Sequence, residues 1–386
     1  MSRRLVFAAA CLSMLTFGVV LTVLGALLPS LIARFGLDKA SAGALFPLLT
    51  LGVLGGALVF GPVVDRYGFK WMLAAATAVI AIGLEALAFA PSLAAVRVAI
   101  VLIGLGGGVV NGGTNALVAD ISADGRTAGI SILGVFFGVG AVGVPFALGT
   151  LLRVFDYQSI IAGVGVLVLC PALFAAATRF PDPKHAQAFP IAEATRLVRD
   201  PVLLLMGLML FLESGMEITV GGWTATFFQE ELGLAADDAI VYLSLYWLGM
   251  MLARLALGSI LRRIMSAQAL MGGIVIAVLG SALLIATHTV MLAAAGVFLL
   301  GVGFAATYPI ILGYVADRYA HLSGTAFSVV IVIALLGGTA MPYLSGVLGS
   351  LEGLRTSFLI VPTSLVMLGS LLGVVTRRLR TAPAAA

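Results

Sequence analysis

Glu213 and Glu217, in the stretch FLESGMEITVGGW (211–223), stand four residues apart inside an apolar run extending from about Val202 to Phe228. That spacing puts both carboxyls on one face of a helix, with Gly221 and Thr224 continuing the stripe. A charged side chain at the centre of a bilayer costs about 2.5–3.5 kcal/mol on insertion scales, so two acids in such a run need a reason. Neighbouring carboxylates repel, and each loses hydration in an apolar setting, so at least one of the pair is expected to hold a proton near neutral pH. Such a site can take up and release a proton. Glu217, nearer mid-span, is the first candidate for that role and Glu213 the second. The structural alternative, for either acid, is a polar partner on a neighbouring helix.

Other polar and aromatic groups fall in similar runs. Asn111 and Asn115 in NGGTN share a helix face, and carboxamides in hydrocarbon need partners, from a neighbouring helix or from a hydroxyl-rich ligand. Gly221-Gly222 should weaken the helix just before Trp223, which suits either stacking on a ring or anchoring at an interface. In VYLSLYWLGMMLAR, Tyr242 fits an interfacial belt, whereas Tyr246 and Trp247 lie deeper. With Tyr308 these are candidate binding contacts. Arg254, two turns beyond Trp247, has the charge to balance a carboxylate, but its depth favours a structural or gating role. Glu85 is given no role. His185, His288 and His321 lie in or near loops without ligand spacing, and Cys11 and Cys170 lie in apolar spans. No metal, cofactor or disulfide framework is expected.

The elements that carry these groups follow from composition. Of 386 residues, 61% are hydrophobic and 10% charged, against about 25% charged in a soluble domain, and the mean hydropathy is +1.18. Twelve apolar runs, the first at 5–33 and the last at 355–376, are each long enough to cross the hydrocarbon as a helix. The alternating pattern of a membrane barrel is absent. The N-terminal run outlasts a signal peptide's apolar core and is read as a retained first span. With the N-terminus inside, fifteen of the 21 basic residues fall on cytoplasmic segments and four on outer loops. Both termini are therefore expected to be cytoplasmic, in the cell membrane. This bias accounts for the net charge of +4 without a nucleic-acid partner.

The chain also matches itself. At an offset of 197 residues, GLGGGVVNGGTNALVAD (104–120) falls on GVGFAATYPIILGYVAD (301–317), and Asn111 on Tyr308. Gly36, Gly52, Gly83 and Gly140 meet Gly233, Gly249, Gly280 and Gly337. The expected fold is an all-α integral membrane protein of twelve transmembrane helices in two pseudo-symmetric six-helix bundles, 1–178 and 201–386. A proline-bearing cytoplasmic linker, 179–200, joins them. Parallel halves of this kind are one transporter architecture, with the solute near the midplane. The dinucleotide-like Gly138-x-Gly140-x-x-Gly143 follows no strand and is read as close helix packing.

The loop GPVVDRYGFK (61–70) resembles the Gly-x-x-x-Asp-Arg-x-Gly-x-Lys motif of the Major Facilitator Superfamily. A reduced form, Gly258-Ser-Ile-Leu-Arg262-Arg263, stands at the same offset. The resemblance covers the whole chain and implies alternating-access transport, with Asp65, Arg66 and Lys70 acting in conformational gating. Spans seven and eight, and the fourth and fifth, are similar to those of the fucose–galactose–glucose:proton symporter family. That similarity implies proton-coupled uptake of a sugar or similar polyhydroxylated solute. The first span here lacks an acid, and Asn111 stands where fucose permease has one. Coupling is therefore expected to fall on the seventh span, with a proton as coupling ion and sodium as the alternative. Efflux of lipophilic compounds is the second reading, while an organic-anion carrier or a non-transporting receptor rank lower. No nucleophile, base and orienting group recur at usable spacing, so an enzyme is not expected. A small-molecule substrate, the lipid bilayer and a monomeric state complete the expectation.

Overall fold

In the computed structural model residues 3–121, 126–180, 199–319 and 323–381 are described. Hydrocarbon offers the backbone no hydrogen bonds, so a spanning chain must satisfy its own amides. The described residues do this as helices throughout, with no strand among them. The first half comprises α1 (Arg3–Phe35), the short α2 (Lys39–Gly43), α3 (Leu45–Ala88), α4 (Leu93–Ile121), α5 (Arg126–Leu151) and α6 (Tyr157–Ala177). The second comprises α7 (Pro201–Leu232), α8 (Ala236–Ile260), α9 (Ser266–Ala286), α10 (Val290–Phe304), α11 (Thr307–Arg318), α12 (Ser323–Glu352), α13 (Leu354–Ser357) and α14 (Ile360–Thr381). Among the described residues, twelve helical stretches are long and apolar enough to cross a membrane, in keeping with the expected fold class.

Two of these differ from simple one-span helices. The second and third spans form one helical run, α3, in which Gly68 alone leaves helical dihedrals, at φ 74 and ψ 170. Only glycine adopts that conformation without a Cβ clash, which explains the glycine in the loop motif. The tenth span is divided into α10 and α11 at Ala305-Ala306. Pro309 supplies the reason: it has no N–H for the Ala305 carbonyl, and its ring crowds that oxygen.

The chain divides into two compact units. One comprises residues 1–187 with 224–229 and 233–244, the ends of α7 and α8 nearest their connecting turn. The other comprises 188–223, 230–232 and 245–386.

Within the first unit, the glycines of α4 bring helices to backbone contact. A Cβ at Gly104 would strike the Leu49 carbonyl oxygen of α3, and one at Gly106 would lie 2.6 Å from that of Ala76. From α3, a Cβ at Gly52 would lie 2.7 Å from the Val101 carbonyl oxygen, and one at Gly83 3.3 Å from that of Ala99. Of the dinucleotide-like glycines, Gly140 of α5 makes the expected close approach, on the Leu15 carbonyl of α1, whereas a Cβ at Gly143 would meet nothing within 4 Å. Small residues at such positions let membrane helices gain dispersion and weak C–H···O hydrogen bonds.

The second unit repeats the scheme at the same offset. Gly301 strikes the Tyr246 carbonyl, Gly303 that of Gly273 at 2.6 Å, Gly249 that of Phe298 at 2.5 Å, and Gly280 that of Gly296 at 2.7 Å. Each of these four approaches is displaced from its first-half equivalent by 197 residues on both partners. Gly36 and Gly233, matched at that offset, both adopt positive φ, at 60° and 70°. Each directly follows the last residue of a helix, Phe35 of α1 or Leu232 of α7, where the left-handed conformation closes the helix.

In each unit an arginine caps a helix. Arg34 donates to the Ala90 carbonyl at 2.9 Å, just past the end of α3. Arg355 donates to the equivalent Thr287 carbonyl past α9 at 2.7 Å, and to Glu231 at 3.3 Å.

Candidate functional site

The seventh helix runs unbroken from Pro201 to Leu232, so the expected weakening at Gly221-Gly222 does not occur. Gly221 instead makes room for a neighbour: a Cβ there would lie 2.9 Å from the Trp247 ring of α8. Glu213 is buried, at 2% exposure, and its Oε1 lies 3.1 Å from the Thr307 hydroxyl. Glu217, one turn on, is half-buried, and its Oε2 is 3.9 Å from Arg254 Nη2. The helix geometry that makes the acids neighbours also gives them different partners. Glu213 meets the α10–α11 break and Glu217 meets α8.

On α8, the Tyr246 ring packs edge-on against Trp247, with centroids 4.9 Å apart, and against Phe304 of α10 at 6.1 Å. Both Tyr246 and Trp247 are buried. Among the described residues the Tyr246 hydroxyl is buried with no hydrogen-bond partner. An orphaned buried hydroxyl carries a desolvation cost of about 1–3 kcal/mol, which a polar ligand or water would relieve. Tyr246 and the partly exposed Tyr308 lie within electrostatic range of Glu213, Glu217 and Arg254. Five of the residues selected from sequence (Glu213, Glu217, Tyr246, Trp247 and Tyr308) thus gather within one unit, together with Arg254. Arg254, read from its depth as a structural or gating residue, stands at a carboxylate.

Thr307 is the residue that sequence reasoning passed over. The signal available for it was AATYP, a hydroxyl two residues before a proline in an apolar span. Trp223 has another role than the stacking or interfacial positions considered for it: it is fully enclosed, and its indole N–H donates to the Pro342 carbonyl at 2.9 Å. That carbonyl lies in α12, so Trp223 ties α7 to α12.

In the first unit, Asn115 donates to the Asn111 side-chain oxygen at 3.1 Å and to its main-chain carbonyl at 2.9 Å. The two carboxamides thus partner each other along α4. Both remain partly exposed. The intervening glycines face α3, where Gly112 lies under the Phe60 ring and Gly113 under Met72. In the loop motif, the Arg66 guanidinium lies over the Tyr67 ring at 5.3 Å and Lys70 over Trp71 at 4.9 Å. The side chain of Asp65, and most of the 179–200 linker, lie outside the described residues. Glu85 presents a buried carboxyl oxygen to Gly165 of α6.

An apolar groove of about 390 Å³ between α9 and α14 is lined by Met271, Ile274, Leu365 and Gly369. None of the candidate residues lines it.

Comparison with known proteins agrees with this architecture. The family model described as Major Facilitator Superfamily matches residues 6–342. An uncharacterized transporter, y4wD, of Sinorhizobium fredii is 24% identical over 345 residues, covering 89% of this chain and 91% of the relative. Among solved structures, a nucleoside transporter, NupG, in a variant form, superposes with a TM-score of 0.81 at 17% identity, over 96% of this chain and 99% of that one. A D-xylose-proton symporter superposes with a TM-score of 0.78 at 13% identity, over 98% of each chain.

Proposed function

The chain belongs to the Major Facilitator Superfamily, a family of membrane transporters, and we propose that it couples uptake of a neutral polyhydroxylated solute, of the sugar class, to protons. The observation that carries this reading is the pair of acids on α7, enclosed among apolar helices and provided with separate partners in Thr307 and Arg254. Carboxyls retained at such a cost in a spanning helix are commonly proton carriers. Glu217, half-buried and beside a cation, exchanges the proton with the aqueous path, and Glu213 is its sealed neighbour. Proton and solute drive the cycle only through their different affinities for its alternating states.

The sugar class rests on the side chains. The unpartnered Tyr246 hydroxyl, the partly exposed Asn111, Asn115 and Tyr308, and the Trp247 ring offer hydrogen bonds and an aromatic surface. The similarity of the seventh and eighth spans to the fucose–galactose–glucose:proton symporters supports the same class. The fold itself leaves the cargo open, since it is shared by a nucleoside transporter and a xylose symporter. In this proposal the protein is a monomer in the cell membrane with both termini cytoplasmic. Asp65, Arg66 and Lys70 gate its closure.

The test is uptake into proteoliposomes of radiolabelled glucose, fucose and xylose, with and without an imposed pH gradient, beside a sodium gradient and ethidium. Accumulation of a sugar on the pH gradient alone is the expected result. Sodium-driven uptake would replace the coupling ion. Gradient-driven ethidium movement without sugar uptake would replace the reading with efflux.

A further inference from the structure

Thr307 opens α11 at the break in the tenth span, and its hydroxyl oxygen lies 3.1 Å from Glu213 Oε1 and 2.7 Å from the Phe304 carbonyl oxygen. A hydroxyl has one hydrogen and two lone pairs, so it donates to one of these oxygens at a time. With Glu213 protonated, both contacts are satisfied together. The carboxyl O–H donates to Thr307, and Thr307 donates to the Phe304 carbonyl. With Glu213 ionised, the carboxylate has no hydrogen to give and is the stronger acceptor. The Thr307 hydrogen then turns to it, and the Phe304 carbonyl loses its side-chain donor.

That carbonyl stands at the mechanically weak point of the span. Pro309 interrupts the ladder at Ala305, α10 ends at Phe304, and α11 begins at Thr307. The Thr307 to Phe304 bond is a side-chain tie across this junction.

We infer that Thr307 is a positioning residue that links the protonation state of Glu213 to the α10–α11 junction, held when Glu213 carries a proton and released when it does not. The inference rests on the proton-coupling role proposed above. In the step only the Glu213 O–H bond breaks. Its electron pair stays on the carboxylate, and the proton passes to Glu217 or to water. The other charged and titratable groups around Glu213 are Glu217 on its own helix, Arg254 and Tyr246 on α8, and Tyr308 on α11. Thr307 differs from these in bonding both Glu213 and the junction.

Hydrogen exchange on the purified full-length protein, without cargo, tests the inference. Peptides covering residues 302–310 are followed on either side of neutrality, with rates corrected for intrinsic exchange. In the wild type these amides should lose protection on the alkaline side. Thr307→Ser should keep that change. Thr307→Val should lose it, with α9 peptides as the folding control. Glu213→Gln, whose amide N–H always donates, should stay protected at both settings. A pH-linked change that survives Thr307→Val, or that is absent from the wild type, overturns the inference. Because no cargo is present, the two readings fail separately. A responsive junction with no proton-driven sugar uptake sinks the symport reading, and proton-driven uptake with an unresponsive junction sinks the tie.

Discussion

Gly301 of α10 rests directly on the carbonyl oxygen of Tyr246 in α8. The contact fixes the height of Tyr246, whose hydroxyl lacks a partner, and therefore where that hydroxyl stands beside the α7 acids. Gly104 makes the same contact with Leu49 in the first half.

Gly301→Ala should accordingly destabilise the protein by at least about 1–3 kcal/mol, the usual cost of overpacking, since the obstacle is backbone. Gly272→Ala, where a Cβ would meet nothing within 4 Å, should leave stability unchanged. Thermal melting of the two purified variants, side by side, checks the contrast.

Glu217→Gln removes the half-buried acid and keeps its shape. Uptake driven by a pH gradient should fall at least tenfold, while exchange of labelled for unlabelled sugar across the membrane persists. Gradient-driven accumulation at wild-type rates in this variant would dismiss Glu217 as the coupling group.

Trp223→Phe keeps an aromatic ring but removes the donor to the Pro342 carbonyl. That carbonyl keeps its place in the α12 ladder, so the loss is one net hydrogen bond, about 0.5–1.5 kcal/mol, and the melting temperature should drop while the relative uptake of different sugars is unchanged. A shift in sugar preference without loss of stability would return Trp223 to the binding surface.

At the start of α6, hydrogen bonds from the Ser159 side chain first and the Ser159 N–H second hold the Asp156 carboxyl below the usual range. A depressed carboxyl contributes stability above its unfolded value, near 4, and that contribution fades as pH falls through the folded one. Asp156→Asn caps the helix without that titration. Its melting temperature should therefore fall less than the wild type's between neutral and strongly acidic pH.

Much of the architecture was legible from residue types. Apolar runs reveal spans because hydrocarbon imposes one solution on every segment, and the 197-residue offset reappears as shared glycine contacts because a missing Cβ is visible in sequence. The acids of α7 were legible for a related reason: charge in such a run is costly. What was hidden depended on partners brought from elsewhere in the chain. Nothing local in TYPI says that Thr307 reaches a carboxyl 94 residues away, and nothing local in GGW says that Gly221 yields to Trp247 while Trp223 turns to α12. The pairing of Asn111 with Asn115 was open to reading, since four residues is one helical turn. The helix itself supplies one partner beside the ligand and the neighbouring helix, and both carboxamides remain partly exposed.

The three tryptophans occupy contrasting surroundings. Trp71 is 61% exposed beside Lys70, whereas Trp223 and Trp247 are enclosed on α7 and α8. Replacing Trp71 with phenylalanine would confine the intrinsic fluorescence to two indoles flanking the proposed chemistry. Spectral or lifetime changes would then give an optical record of the working half, with no label attached.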